Sequence, residues 1–312
     1  MSAPAQPLQS VLHPAGSDAV IINQFAWVMF GAGALIFVAV MALLVLSLRR
    51  HERPLSAKLW IAGAGVAFPV LVLSALLVWS TWRSAQLRPQ TSNGALAISV
   101  TAKMWWWEVR YRDPDSGREI VTANEIHIPV GKEIYLGLNA ADVIHSLWIP
   151  ALAGKRDMIP GRLTGLTLRA DKPGVYRGQC AEYCGIQHAR MALNVVALAP
   201  QEFDAWLARQ ARPALEPVNE QLLRGRAVFL EQRCQTCHTI RGVAELAQQG
   251  PDLTHVGGRM QIGAGVLRTH QGTLAGWIAD PQAIKPGVFM PPAADIDGVS
   301  LRALAAYLDH LK

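Results

Sequence analysis

The sequence predicts a multidomain membrane protein: a hairpin of two transmembrane helices, then an all-β domain of short strands, then an all-α domain. Three observations predict it. Two apolar runs, Phe25 to Leu48 and Leu59 to Trp82, hold no charged residue, and each exceeds the ~20 residues with which a helix crosses a bilayer. Between about residues 95 and 200, short β-rich segments are separated by turn sequences. Beyond residue 219 the apolar spacing becomes helical, through Leu222, Leu223, Val228 and Phe229, and again over Val299 to Leu311.

At 312 residues and 51% hydrophobic, the chain is long enough for two soluble domains and an anchor, and too apolar for a wholly soluble protein. Its net charge of +6 is scattered, with no long basic run. That pattern gives no nucleic-acid signature and suits a surface beside anionic lipid.

Taken in order, residues 1–19 lack Lys and Arg and are rich in Ala, Pro and Ser, so they read as a flexible lead without the basic start of a signal peptide. Helices over about 20–48 and 59–82 make the hairpin 20–83. Arg49-Arg50-His51-Glu52-Arg53-Pro54 and Lys58 lie between them. Positive-inside counting puts this short basic loop in the cytoplasm and both termini on the other side. Trp79 and Trp82 then fall at the aromatic belt. Pro69, Gly63 and Gly65 in the second span favour close packing against a partner helix that covers the carbonyl freed by proline.

In the β region, Ala97-Ile98-Ser99-Val100, Glu125-Ile126-His127-Ile128, Ile134-Tyr135-Leu136-Gly137-Leu138 and Leu193-Asn194-Val195-Val196 read as strands. Asp113-Pro114-Asp115-Ser116-Gly117 and Lys172-Pro173-Gly174 read as turns. Strands at this spacing argue for a sandwich or barrel. Residues 201–218, with Pro213 and Pro217, read as a linker to the helical domain 219–312.

Chemistry concentrates in Cys180-Ala181-Glu182-Tyr183-Cys184-Gly185-Ile186-Gln187-His188-Ala189-Arg190-Met191. Thiolate, imidazole and thioether together suit copper; magnesium and calcium take oxygen shells, and zinc sites rarely recruit methionine. Two buried cysteines beside a core methionine are the bland alternative. The pattern C-x-E-x-C-G-x-x-H-x-x-M resembles the CuA loop of cytochrome c oxidase subunit II. Upstream, Asp142-Val143-Ile144-His145-Ser146-Leu147-Trp148-Ile149-Pro150 resembles the family's D-V-x-H-S-x-W-x-P segment. The resemblance implies a cupredoxin fold with both ligand loops at one end. It also implies dinuclear copper bridged by Cys180 and Cys184, with His145, His188, Met191 and the carbonyl of Glu182 completing the shell. By the same resemblance, the Glu182 carboxylate reaches a magnesium ion at the interface with the catalytic subunit. In Met104-Trp105-Trp106-Trp107, Trp105 takes the position of the residue where electrons enter, although burial alone also explains an indole cluster. Lys155-Arg156-Asp157-Met158-Ile159-Pro160-Gly161-Arg162 resembles the segment that lies near the catalytic subunit, with a plain charged turn as the other reading. The family's glutamate near the start of the second helix has no counterpart around Ala57, Lys58 and Leu59.

Cys234-Gln235-Thr236-Cys237-His238 is the attachment signature for c-type haem: Cys234 and Cys237 bond the porphyrin and His238 binds iron. A redox dithiol or half a zinc site would share the spacing. The order that follows, Gly250-Pro251-Asp252-Leu253 and then Pro286-Gly287-Val288-Phe289-Met290-Pro291-Pro292, resembles a class I cytochrome c and argues against both. It makes Met290 the second axial ligand, with Met260 as the competing thioether; His/Met ligation suits electron transfer and leaves no open position. The four cysteines are then spoken for, and no pair remains for a disulfide. His13, His51, His127, His255, His270 and His310 have no ligand spacing.

The order of parts resembles subunit II of haem–copper oxidases with a fused cytochrome c. That implies an electron-entry chain, with dinuclear copper and covalent haem c as cofactors. Its partners would be a polytopic catalytic subunit with other oxidase subunits, a soluble or membrane cytochrome donor, and membrane lipid. Its place would be the bacterial inner membrane, crossed twice, with both metal domains on the periplasmic face. The chain is then part of an oxidoreductase, with no oxygen-reducing site of its own. The rival readings are the electron-transfer subunit of a CuA-containing nitric oxide reductase, a free-standing membrane electron carrier, and a metallochaperone. A chaperone needs exposed, exchangeable ligands, which the enclosed set and covalent haem disfavour.

Overall fold

The computed structural model of the protein describes residues 8–49, 56–87, 96–113, 116–245 and 247–312. Two helices, Ser17–Arg49 and Ala57–Leu87, are long and apolar enough to cross a membrane. Their side chains, Phe30, Leu35, Leu71 and Val78 among them, point outward, as lipid-facing residues must when the backbone is satisfied internally. The helices meet near one end, where Phe25 and Trp79 pack edge to face at 4.8 Å and Arg83 bonds Gln24. Pro69 leaves its mark as a π-helical segment, Ile61–Ala67, in which the Phe68 amide reaches back to the Gly63 carbonyl. A proline cannot donate to the turn above it, and a wider turn there spares the carbonyls a clash. Most of the basic loop, from Arg50 onward, lies outside the described residues.

The expected flexible lead is not free where it is described. The Leu8 amide donates to Val175 O (2.9 Å) and its carbonyl accepts from the Arg177 amide (3.0 Å); Ala15 exchanges bonds with Ala151 and Asp171. The first helix begins at Ser17, directly after Gly16, where a Cβ would overlap the Arg169 and Leu152 carbonyls. The cause lies in the sheet: β6 (His145–Trp148) pairs only with the last two residues of β9 (Gly174–Cys180). The rest of that edge would leave backbone groups unpaired.

The β domain is a sandwich of two five-stranded sheets. One has the order β3-β2-β1-β5-β8: Glu119–Ala123, Trp106–Arg112, Leu96–Lys103, Ile134–Ala140 and Thr164–Leu168. The other runs β4-β10-β9-β6-β7, with β4 Glu125–Pro129, β10 Ala192–Leu198 and β7 Arg156–Met158. Inward positions alternate along the strands, as in Ile98, Val100 and Ala102 of β1 beside Leu136, Leu138 and Ala140 of β5. β1 and β5 pair in parallel, as do β4 and β10, so the chain crosses between sheets instead of running as a meander.

Residues 201–210, expected in the linker, form most of a helix, Pro200–Gln210, that belongs to the β domain. Phe203, Trp206 and Leu207 are buried in its core. Trp206 stacks on His127 at 4.0 Å. Three apolar side chains at helical spacing outweigh a composition that looked like loop.

The C-terminal domain packs helix Glu220–Glu231 across helix Gly298–His310. At their crossing a Cβ on Gly225 would overlap the Ala303 carbonyl, so glycine permits the approach. Asn219 and Asp297 cap the two helices by accepting from Leu222 N and from Val299 N and Ser300 N. Shorter helices, Gln271–Ala279 and Pro281–Ile284, lead to the segment that bears Met290.

Candidate metal centres

The strand pairing brings the copper candidates together. His145 opens β6, Cys180 closes β9, and Leu147 lies in register with Cys180, so the imidazole and the first thiol meet at one end of one sheet. The chain then leaves the sheet for ten residues and returns at Met191, whose carbonyl accepts from the Cys180 amide. The loop is pinned at both ends by the sheet. Inside it, His188 N donates to Gly185 O, and Ala181 N donates to Ser146 O.

His145 Nδ1 lies 3.7 Å from Cys180 Sγ, His188 Nδ1 3.7 Å from Cys184 Sγ, and Met191 Sδ 3.9 Å from Cys184 Sγ. The Glu182 carbonyl is 3.1 Å from Cys180 Sγ. Two donors bound to one ion at about 2.0 and 2.3 Å and a tetrahedral angle stand roughly 3.5 Å apart. These spacings are close to those of donors that share a metal ion. His145, Cys180 and Cys184 are buried, and their ligand atoms lie within 4.8 Å of one another.

Hydrogen bonds within the cluster shift the titration of its donors. A hydrogen bond with Cys184 first, and then His145 and nearby main-chain groups, pull the Cys180 thiol down to about 3 against the effect of burial. Cys184 is pushed up by the same shared bond and by burial. Burial alone would lower His145, but its bonds to Asp142 and Cys180 outweigh it and raise the ring to about 9. Metal binding to such a set releases protons. Asp142 Oδ1 accepts from His145 Nε2 at 2.8 Å and fixes the ring so that Nδ1 faces the sulphur. Asp142 stands three residues before His145 in the D-V-x-H-S-x-W-x-P segment, and the ring geometry gives it this role.

Around the cluster, Trp107 is fully buried and packs edge-on to His145, while Trp106 is half-buried. Trp105 is buried, and its Nε1–H donates to the Cys184 carbonyl at 2.7 Å. The Glu182 carboxylate lies 3.4 Å from Lys155 Nζ.

In the helical domain Cys234 and Cys237 are free thiols, half-buried and exposed. His238 Nδ1–H donates to the Pro251 carbonyl at 2.8 Å, which leaves Nε2 as the free ligand atom. Burial pushes His238 down, toward the neutral ring that an iron requires. Gly250 leaves the space beside it, since a Cβ would overlap the imidazole. Met290 packs half-buried against the domain's apolar cluster with Trp277, Leu253 and Cys234. The two thiols of the C-x-x-C-H turn, an oriented imidazole and a thioether packed on the same apolar cluster as Cys234 suit a covalent haem. Met260 instead turns its amide to Glu125 of the β domain. His255 is bonded to the Arg212 and Lys312 carbonyls, and His270 caps a helix.

The two candidate centres share an interface that the sequence did not disclose. Phe289 stacks on Trp105 with ring centroids 5.8 Å apart. Gln187 Nε2 donates to Pro286 O and Arg190 Nη1 to Ile284 O, both at 2.6 Å. Lys285 Nζ donates to Trp105 O at 2.9 Å and Gly263 O at 3.0 Å. Burial pushes its ammonium down to about 7, against the pull of the Cys184 sulphur. Further out, Glu125 accepts from the Met260 amide (2.6 Å), Arg259 bonds Thr122, and Ala192 N donates to Ala264 O. These contacts seat the helical domain on the copper end of the sandwich.

Two apolar helices, a cupredoxin-like sandwich with a copper-type donor cluster and a helical C-x-x-C-H domain define the class: a membrane protein with two candidate metal domains. Residues 112–198 match the family described as cytochrome C oxidase subunit II, periplasmic domain, and residues 222–312 match cytochrome c. Cytochrome c oxidase subunit 2 of Alkalihalophilus pseudofirmus is 38% identical over 224 residues, 72% of this chain and 64% of that protein. Cytochrome c oxidase subunit 2 of Bacillus subtilis is 32% identical over 265 residues, 78% of this chain and 72% of that protein. The periplasmic domain of subunit II of cytochrome oxidase of Bradyrhizobium japonicum, a solved structure, is 34% identical; the match covers 38% of this chain and 95% of that one at a TM-score of 0.35. The chain belongs to the cytochrome c oxidase subunit 2 family and carries a fused C-terminal cytochrome c domain. Membership in the two families implies copper and haem binding.

Proposed function

We propose that this chain is the electron-entry subunit of a haem–copper terminal oxidase, passing electrons from a cytochrome donor toward a polytopic catalytic subunit that reduces oxygen. Cys180, Cys184, His145, His188, Met191 and the Glu182 carbonyl would hold the dinuclear copper. Cys234 and Cys237 would anchor the haem, with His238 and Met290 on its iron. When bound, these groups supply reversible one-electron storage, and shared thiolates spread the charge so that little geometry changes. The chain's residues do the holding: Asp142 orients His145, Pro251 orients His238, and the sheet fixes both ends of the copper loop. The Glu182 carboxylate, beside Lys155 in this chain, would reach a magnesium ion at the catalytic-subunit interface. The hairpin would sit in a bacterial inner membrane, with the metal domains on the periplasmic face and the basic loop in the cytoplasm.

One observation carries the reading: the ring next to Met290 stacks on Trp105, and Trp105 donates to the carbonyl of Cys184. The two ligand sets are thus joined through one indole, the residue expected to receive electrons. Replacing Trp105 by Phe removes the bond to Cys184 and keeps an aromatic ring. It should slow copper reduction in rapid mixing with both metal spectra intact; unchanged kinetics would remove Trp105 from the route. Purification in mild detergent tests the assembly. A polytopic partner should accompany the chain, whereas a chain that emerges alone would be a free-standing carrier.

A further inference from the structure

The least expected side chain at the interface is Lys285. Its exposure is 1%, it belongs to the helical domain, and among the described residues it makes no ion pair. Its hydrogen-bond acceptors are two main-chain carbonyls, Gly263 of its own domain and Trp105 of the β domain. An ammonium out of water without a carboxylate is costly, so this position does not serve stability alone. Its geometry serves register. The Trp105 carbonyl belongs to the residue whose indole donates to Cys184, and Lys285 begins the run that ends at Met290.

The whole run from 284 to 289 is clamped to the copper end. Arg190 and Gln187, which lie between copper-ligand candidates in sequence, hold Ile284 O and Pro286 O. Gly287 fits against Ile186, where a Cβ would overlap Cδ1. Val288 packs on the β-domain core and Phe289 covers Trp105. Lys285 is the member of this run that is both ionisable and buried, so its two bonds are the ones water cannot replace in place.

We propose that Lys285 is the positioning residue that locks the cytochrome domain onto the Trp105 face of the β domain, closing that face to any second donor protein. A soluble cytochrome then has to deliver its electron to this chain's own haem domain. The closed-face half of this inference rests on the electron-entry reading above; the lock itself does not.

The test uses the full metal-loaded chain in detergent, as wild type, Lys285→Met and Lys285→Arg. Amide hydrogen exchange is read over residues 284–290 and 104–106. Lys285→Met leaves two buried carbonyls unpaired and should raise exchange in both segments by about tenfold or more. Exchange within Glu220–Glu231 and Gly298–His310 should not change, nor should the copper resonance or haem spectrum. Lys285→Arg, which keeps the donors, should restore most of the protection. If Lys285→Met does not fold, Arg190→Ala, which frees Ile284 O, should loosen the same segments to a smaller degree. With a ferrous soluble class I cytochrome c as probe, each donor loses one electron. In wild type the chain's haem should gain it before the copper does; in Lys285→Met the copper should gain it directly. Wild-type protection in Lys285→Met, or loss of protection throughout the helical domain, would overturn the lock. Direct copper reduction in wild type would overturn the closed face. A wild-type chain without a dinuclear copper signal would instead sink the electron-entry reading and leave the exchange result to decide the lock.

Discussion

The copper-ligand loop and the Met290 segment both present a thioether from irregular backbone, yet they are held in different ways. Residues 180–191 leave and rejoin neighbouring strands of one sheet, and the Cys180 amide bonds the Met191 carbonyl across the gap. The segment 284–290 has no sheet around it. Gln282 of its own domain donates to the Val288 and Met290 carbonyls, and the rest of its support comes from the other domain, through Arg190, Gln187, Trp105 and Ile186. One centre is preorganised by its own sheet, and the other adds contacts borrowed from its neighbour to those of its own domain. Damage to the helical domain should therefore spare copper.

The largest expected effect comes from Gly225→Ala, which places a Cβ on the Ala303 carbonyl at the helix crossing. Overpacking of this kind costs about 1–3 kcal/mol or more. Calorimetry should show the cytochrome transition lowered and the β-domain transition nearly unmoved. A single transition shifted as a whole would mean that the two regions do not differ as described.

Met290→Ala comes next. Axial ligands span about 0.8 V of haem potential, and loss of the thioether should lower this one by on the order of 0.1 V in a redox titration, with the copper spectrum unchanged. A shift obtained with Met260→Ala instead would move the axial role there.

Asp142→Asn attacks the better-held centre from behind. Loss of an orienting carboxylate typically costs 10–100-fold in metal affinity, so copper competition against a chelator should show roughly that loss while haem content stays constant. Equal affinity would mean that the sheet alone orients His145.

Most candidate donors are legible because they are local: C-x-E-x-C-G-x-x-H-x-x-M and C-x-x-C-H place theirs within one loop or one turn. The sequence disclosed the strands because Ile98, Val100 and Ala102 alternate. What it hid depends on distant partners. Leu8 looked like part of a loose lead, and it is ordered by a strand edge more than 160 residues away. Phe203, Trp206 and Leu207 sat in a stretch assigned to a linker, because the surface they cover belongs to strands far upstream. Lys285 carried no signal at all, since a lysine beside proline and glycine reads as a solvated turn. The signal for Asp142 was present three residues before His145, and only the ring geometry gave it a role.

The smallest effect concerns pH at the domain boundary. Burial raises Glu125 from 4.5 to about 7, against the bonds from the Met260 and Gln261 amides and the Arg259 charge. A carboxyl raised in the folded state adds stability that is complete below its ordinary value and is lost as pH climbs through the folded one. Wild type should thus lose on the order of a few kcal/mol relative to Glu125→Gln between about pH 4.5 and 7. The difference should be flat above that range. A difference that does not vary with pH would show Glu125 to be ionised throughout.

The most direct test of the account is the metal content and paramagnetic resonance spectrum of the full matured chain. Two coppers per haem, with hyperfine splitting shared over both nuclei, is the result predicted by Cys180 and Cys184 bridging beside a covalent haem. One copper per haem with an ordinary mononuclear signal would contradict it, and the chain would then be a cytochrome joined to a single-copper domain.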